Sequence, residues 1–213
     1  IYRSVGIMQA LVPNGRRDKF KDPKVRLALN YAFDFEEMNR TLFYNQYQRI
    51  GSFFMGSDLA SSGLPQGKEL EILNEVKDQI PPDVFTREFR NPVGGDPAKQ
   101  RDNLREAVKL MKDAGYELRG NRMVNASSGQ PFEFEILVDS AAMERVVVTY
   151  AQNLRKIGIN ATVRVVDTSQ YTNRTRSFDF DMIVNLWAQS ANPGNEQADY
   201  WGSKAVDRQG SKN

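Results

Sequence analysis

The chain holds 213 residues with no cysteine, no histidine, 29 Lys and Arg against 27 Asp and Glu, and 40% hydrophobic residues. That length suits one sizeable domain or two small ones, and a net charge of +2 gives no electrostatic pull toward nucleic acid or a membrane surface. Without Cys or His there can be no disulfide, imidazole or thiolate metal site, cysteine nucleophile or histidine triad, so catalysis would fall to carboxylates, Lys, Tyr, Ser or a cofactor.

The opening IYRSVGIMQALVPN reads as a strand leaving through Pro13 and Asn14. In DPKVRLALNYAFD, Asp22 is placed to cap a helix with Pro23 at its first position, where a missing N–H costs nothing. Val25, Ala28, Leu29, Ala32 and Phe33 recur at helical spacing, and Asp34 with Glu37 makes a capping box for a second helix. From Tyr44 to about Pro97 Gly and Pro break the pattern, and only residues 64–78 look helical. So long an irregular stretch predicts an insertion or a binding segment.

Regularity returns at Asp96 and Pro97, with Leu104, Ala107, Val108 and Met111 as the stripe of a helix ended by Gly115. Met123–Val124, NASSGQ and PFEFEILVD predict a hairpin, and residues 143–157 a helix with Val146, Val147, Tyr150, Ala151, Leu154 and Ile157 inward, stopped by Gly158. INATVRVVD is then a strand, TSQYTNRTRS a short helix and FDMIVNLW a strand. Alternation of this kind implies an α/β layer with right-handed crossovers. No run approaches the roughly 18 apolar residues of a membrane span. The ends read as cut, so a segment of a longer protein is expected.

Chemistry has few places to reside. Glu133 with Glu135, and Asp179 with Asp181, sit two apart on one face of a strand, a pattern open to an acid–base pair of a glycoside hydrolase or to plain alternation on a half-exposed strand. Arg174 and Arg176 with the basic tail suit a solvated helix face or a phosphate patch, although aromatic stacking partners are sparse there. Gly94–Gly95 is a turn signal without a phosphate-loop pattern, so no cofactor or metal is expected.

The richest segment is FDFDMIVNLWAQSANPGNEQADYW, residues 178–201. Phe178, Phe180, Met182 and Val184 should face one way, and the strand then runs through Trp187 into a polar loop closed by Tyr200 and Trp201. Aromatic faces and amides beyond a strand end suit ligand recognition without chemistry. Equally, both tryptophans could be core residues that the loop merely covers.

Together DPKVRLALNYAFD, MKDAGYELRG, LRKIGINATVRVVDTSQYTNR, FDFDMIV and the PGNEQADYW loop resemble the extracellular solute-binding proteins of family 5, the peptide-, nickel- and oligopeptide-binding subunits of ABC importers. SANPGNEQ, YWGSKA, GLPQGKELEIL and VDTSQYTNR bring the resemblance closest to the YejA-like subgroup, linked to microcin C and oligopeptide uptake. It covers nearly the whole chain and implies one lobe, residues 1–213, of a two-lobed periplasmic-binding-protein type II fold, the other lobe being absent. It also implies an extracytoplasmic, monomeric, non-enzymatic receptor. Its partners would be a peptide or peptide-like ligand held between lobes and the permease subunits, which alone would link it to the membrane.

In many members of the family a W-x-x-D turn anchors a peptide amine through its Asp. Here Trp187 matches while Ser190 takes the Asp position, which removes a charge-assisted bond to an ammonium. By this resemblance Trp187 is a stacking wall, and Gln189, Ser190, Asn192, Asn195 and Glu196 are its polar contacts. Tyr44, Arg49, Ser52 and Phe53 join them where the family chain approaches the cleft. The competing functions are a carboxylate-dependent hydrolase and a permease-docking module.

Overall fold

The computed structural model describes residues 7–213. Its elements, in order, are β1 (Met8–Pro13), α1 (Pro23–Tyr31), α2 (Phe35–Leu42), α3 (Gly67–Glu75), α4 (Asp83–Thr86), α5 (Pro97–Asp113), β2 (Tyr116–Arg119), β3 (Arg122–Asn125), β4 (Glu133–Val138), α6 (Ala141–Arg155), β5 (Asn160–Val165), α7 (Thr168–Arg176), β6 (Met182–Trp187) and α8 (Glu196–Trp201). The helix starts follow the caps. Asp22 accepts from Lys24 N, Asp34 from Glu37 N, and Asp96 from Ala98 N and Lys99 N. The capping box is only half made, because the Glu37 side chain pairs with Arg40.

The main sheet runs in the order β1-β6-β4-β5. β4 pairs in parallel with β5 from Glu133↔Asn160 to Val138↔Val165, and with β6 at Ile136↔Met182 and Leu137↔Ile183. Both faces are covered, as a parallel sheet requires. Phe134, Ile136 and Val138 of β4 join the larger core with residues of α1, α5 and α6, whereas Leu137 joins Phe180 and Ile183 beneath Tyr171 of α7. Tyr150 of α6 is buried and donates its hydroxyl to the Leu29 carbonyl at 2.9 Å. That carbonyl belongs to the last turn of α1, which has no partner inside its own helix. One side chain therefore packs the core and satisfies a helix end.

Three expectations need correction. The hairpin lies one strand earlier: β3 pairs antiparallel with β2, from Tyr116↔Asn125 to Arg119↔Arg122, while β3 meets the 130–132 segment only through Asn125 N to Gln130 O, Phe132 N to Met123 O and one bridge, Val124↔Pro131. PFEFEILVD instead enters the parallel sheet as β4. Second, Phe178, Phe180, Met182 and Val184 do not share a face. Phe178 takes a φ of 57°, the strand begins only at Met182, and Met182 and Val184 pack in the larger core while Phe178 and Phe180 pack in the smaller one. Third, besides α3, which falls within the helix expected over 64–78, the irregular stretch holds one more short helix, α4. The first six residues of the strand read at the N-terminus lie outside the described residues.

The chain divides into two compact units. The larger contains Gln9–Arg49, Pro92–Leu186 and Asn192–Asn213, and the smaller Ile50–Asn91, Trp187–Ala191 and, of the described residues before β1 and at its start, Ile7 and Met8. Both apolar clusters belong to the larger unit.

Candidate functional site

Five of the candidate residues fall in the smaller unit. Trp187, the last residue of β6, is 7% exposed, and its ring meets Phe53 edge-on at 5.9 Å between centroids. Its indole N–H is buried and has no hydrogen-bond partner among the described residues. Beyond it the chain alternates: Gln189 is buried, while Ala188 and Ser190 are exposed. Ser52 is occupied locally, its hydroxyl oxygen accepting from Phe54 N and Ser61 N at 3.2 Å each. Trp187, Gln189, Ser190, Ser52 and Phe53 carry no charge between them, so this set offers an aromatic wall, an indole donor and amide or hydroxyl groups. None of the five is an acidic or basic side chain.

The other five fall in the larger unit. Tyr44 and Asn45 both adopt left-handed backbone, with φ of 53° and 61°, and Tyr44 is 80% exposed. Asn39 fixes this bend, donating to Tyr47 O at 2.8 Å and accepting from Tyr47 N at 3.1 Å. The Arg49 guanidinium donates to Pro92 O at 2.5 Å and to Asn30 Oδ1 at 2.7 Å, and lies over the Phe33 ring. Burial lowers its pKa, opposed by the charges of Glu36 and Asp34. Asn192 and Asn195 are exposed. Glu196 accepts from Gly194 N at 2.8 Å, and backbone amides hold its carboxyl below the usual range. The two tryptophans part company in environment, because Trp201 is 47% exposed and donates to Gln197 Oε1 at 3.0 Å.

The carboxylates considered for hydrolysis have a different job. Asp181 pairs with Lys19 at 3.5 Å and Arg17 at 3.8 Å, Asp179 with Arg17 at 3.3 Å, and Arg174 bridges Glu135 at 2.9 Å and Asp179 at 3.5 Å. Asp181 also accepts from Glu135 N at 3.1 Å. This ion-pair network ties the N-terminal ends of β4 and β6 to the segment after β1, while ligands of open α/β sheets bind beyond the C-terminal ends. The hydrolase reading is dropped. No group of acidic side chains able to hold a metal occurs among the described residues.

Comparison with known proteins gives the chain a family. The pattern of the family described as Bacterial extracellular solute-binding proteins, family 5 Middle, matches residues 1–209. The chain belongs to this family. It is 76% identical over 213 residues to the probable peptide-binding protein YejA of Agrobacterium fabrum, covering all of this chain and 35% of that protein. It is 39% identical over 193 residues to the uncharacterized protein YejA of Escherichia coli, covering 91% and 32%. Among solved structures it is similar to the oligopeptide-binding protein AppA of Bacillus subtilis in complex with a nonapeptide, with a TM-score of 0.67 at 18% identity, covering 96% of this chain and 36% of that one. The family 5 chain thus spans about a third of the length of the curated relatives it matches.

Sequence reasoning passed over several residues that shape this family 5 chain. Gly94 N donates to Glu36 Oε2 at 2.7 Å and Gly95 N to Asp34 Oδ1 at 2.9 Å, so the Gly-Gly pair is a receptor for two carboxylates of α2 and its cap. Asn14, 2% exposed, donates to both Phe178 O and Phe180 O at 2.9 Å. An Asn directly after the first strand was legible as a strand exit, but nothing local marks its long-range partners.

Proposed function

We propose that this chain is part of the substrate-binding component of an ABC importer, located outside the cytoplasm, and that it binds peptides or peptide-like solutes without transforming them. The observation that carries the reading is the buried, unpartnered indole N–H of Trp187 beside the Phe53 ring. A buried donor left unmade costs about 1–3 kcal/mol. A ligand carbonyl is the partner that removes this cost, and peptide backbones present one at every residue. The absence of charge in Ser52, Phe53, Trp187, Gln189 and Ser190 favours neutral backbone groups over an ammonium. Tyr44, Arg49, Asn192, Asn195 and Glu196 form a separate set of proposed contacts, to be tested one at a time. Family membership and the peptide-binding names among its relatives support the ligand class.

The test begins with native mass spectrometry of the full-length protein purified without denaturation, which names a co-purifying ligand. Trp187→Phe then keeps a ring against Phe53 and removes the donor together with part of the indole's bulk. Affinity for that ligand should fall about 10-fold, equivalent to about 1.4 kcal/mol, in a protein that still unfolds cooperatively when empty. Equal affinity in the two proteins would reject the role given to Trp187.

A further inference from the structure

The smaller unit has no core of its own in residues 50–91: not one of these side chains is buried. Leu59, Leu64, Ile72, Val76 and Phe89 are 50%, 40%, 53%, 36% and 64% exposed, and α3 contains no buried residue at all. Ile72 lies in the last turns of α3 and Val76 directly follows its last residue. Fixing the backbone of each residue costs about 1–2 kcal/mol, and some 40 residues with no fully buried side chain have little hydrophobic gain to set against that.

The charges of the segment point the same way. Its four cations have partners inside it: Lys68 pairs with Glu71, Arg87 with Asp83 and Arg90 with Glu88, while Lys77 lies over the Phe85 ring. The segment's seven acids outnumber these four cations, so the surface it leaves exposed is apolar and acidic, with no spare cation to draw in an acidic partner. Several exposed apolar side chains gathered in one segment suit a contact face. The Agrobacterium and Escherichia relatives are about three times longer than this chain, which covers 35% and 32% of them.

We propose that the exposed apolar side chains of residues 59–89 are covered, in the full-length protein, by the same polypeptide from the part outside these 213 residues. Nothing in this rests on the ligand. The test is lysine-directed cross-linking of the full-length monomer, without ligand or permease, combined with hydrogen exchange. Lys68 or Lys77 should link to lysines outside the 213 residues, and amides of α3 should exchange at least about 100-fold more slowly than in a free peptide. Ile72→Asp and Phe89→Asp should each lower the unfolding temperature of the full-length protein by several degrees. Links confined to the 213 residues would overturn the proposal. So would protection that arises only when permease is added, or only at concentrations where a second copy associates. If a variant does not fold, the wild-type cross-links decide.

Discussion

At the scale of single residues, the tightest constraint is the approach of Gly94 to Asp34. A Cβ at Gly94 would stand 2.3 Å from Asp34 Oδ1, and Asp34 cannot simply turn aside. It is 6% exposed, it caps α2 through Glu37 N at 3.1 Å, and it accepts from Gly95 N. Relieving the clash means giving up a cap worth about 1 kcal/mol or straining the turn by a similar amount or more. Gly94→Ala should therefore cost about 2–3 kcal/mol, read as a lower urea midpoint with an unchanged slope. Gly51→Ala, with nothing within 4 Å of the new Cβ, should leave the midpoint in place. Tyr171 gives a second test. Its hydroxyl donates to Val184 O at 2.6 Å, and burial, reinforced by the charge of Asp139, pushes its pKa up from 10.0 to about 12. The unfolded chain loses this proton first, so the folded state is destabilised as pH rises from about 10 towards 12 and the contribution is intact below 10. Measured across that window, stability should fall less steeply in Tyr171→Phe than in the parent. An identical alkaline slope would rule out Tyr171 as a contributor.

At the scale of elements, the entry into β6 depends on a side chain from the other end of the chain. Phe178 sits in left-handed backbone, a conformation that costs a non-glycine residue on the order of 1–3 kcal/mol. Asn14 holds the bend by taking the Phe178 and Phe180 carbonyls on one amide. Asn14→Ala leaves those acceptors short of a donor in a buried place, so a loss of about 2–4 kcal/mol is expected in equilibrium unfolding. A loss below about 1 kcal/mol would mean that the bend holds itself. This also explains what the sequence could reveal. Asp22, Asp34 and Asp96 act within a few residues of themselves, so α1, α2 and α5 were legible from local chemistry, as was the inward stripe of α6. The bend at Phe178 was not, because its support lies more than 160 positions away. The hairpin slipped by a strand because Tyr116–Arg119 has only Tyr116 and Leu118 as apolar marks, while Phe132, Phe134 and Ile136 carry a stronger alternation that the parallel sheet uses instead. In the candidate site, the polar loop after β6 was legible from composition. The burial of Trp187 and the exposure of Trp201 were not, since identical residue types carry no label for their surroundings.

At the scale of the whole molecule, the chain is a third of its relatives by length, yet the larger unit contains two closed apolar clusters and a sheet covered on both faces. Those are the ingredients of independent folding, because buried apolar area is the dominant favourable contribution. Binding is another matter. A ligand trapped between two lobes gains from contacts with both and from exclusion of water, and it stabilises the closed state only through that difference. If this chain is one lobe of such a pair, as proposed, it supplies one set of contacts and no enclosure. It should give a cooperative unfolding transition from the larger unit, while its affinity for the peptide that co-purifies with the full-length protein falls at least about 100-fold, some 2.7 kcal/mol. Calorimetric titration of the two proteins with that peptide measures the difference directly. Equal affinities would place the whole binding site inside these 213 residues and remove the need for a second lobe. A weak but specific signal that Trp187→Phe abolishes would locate the share of binding energy that this chain carries alone.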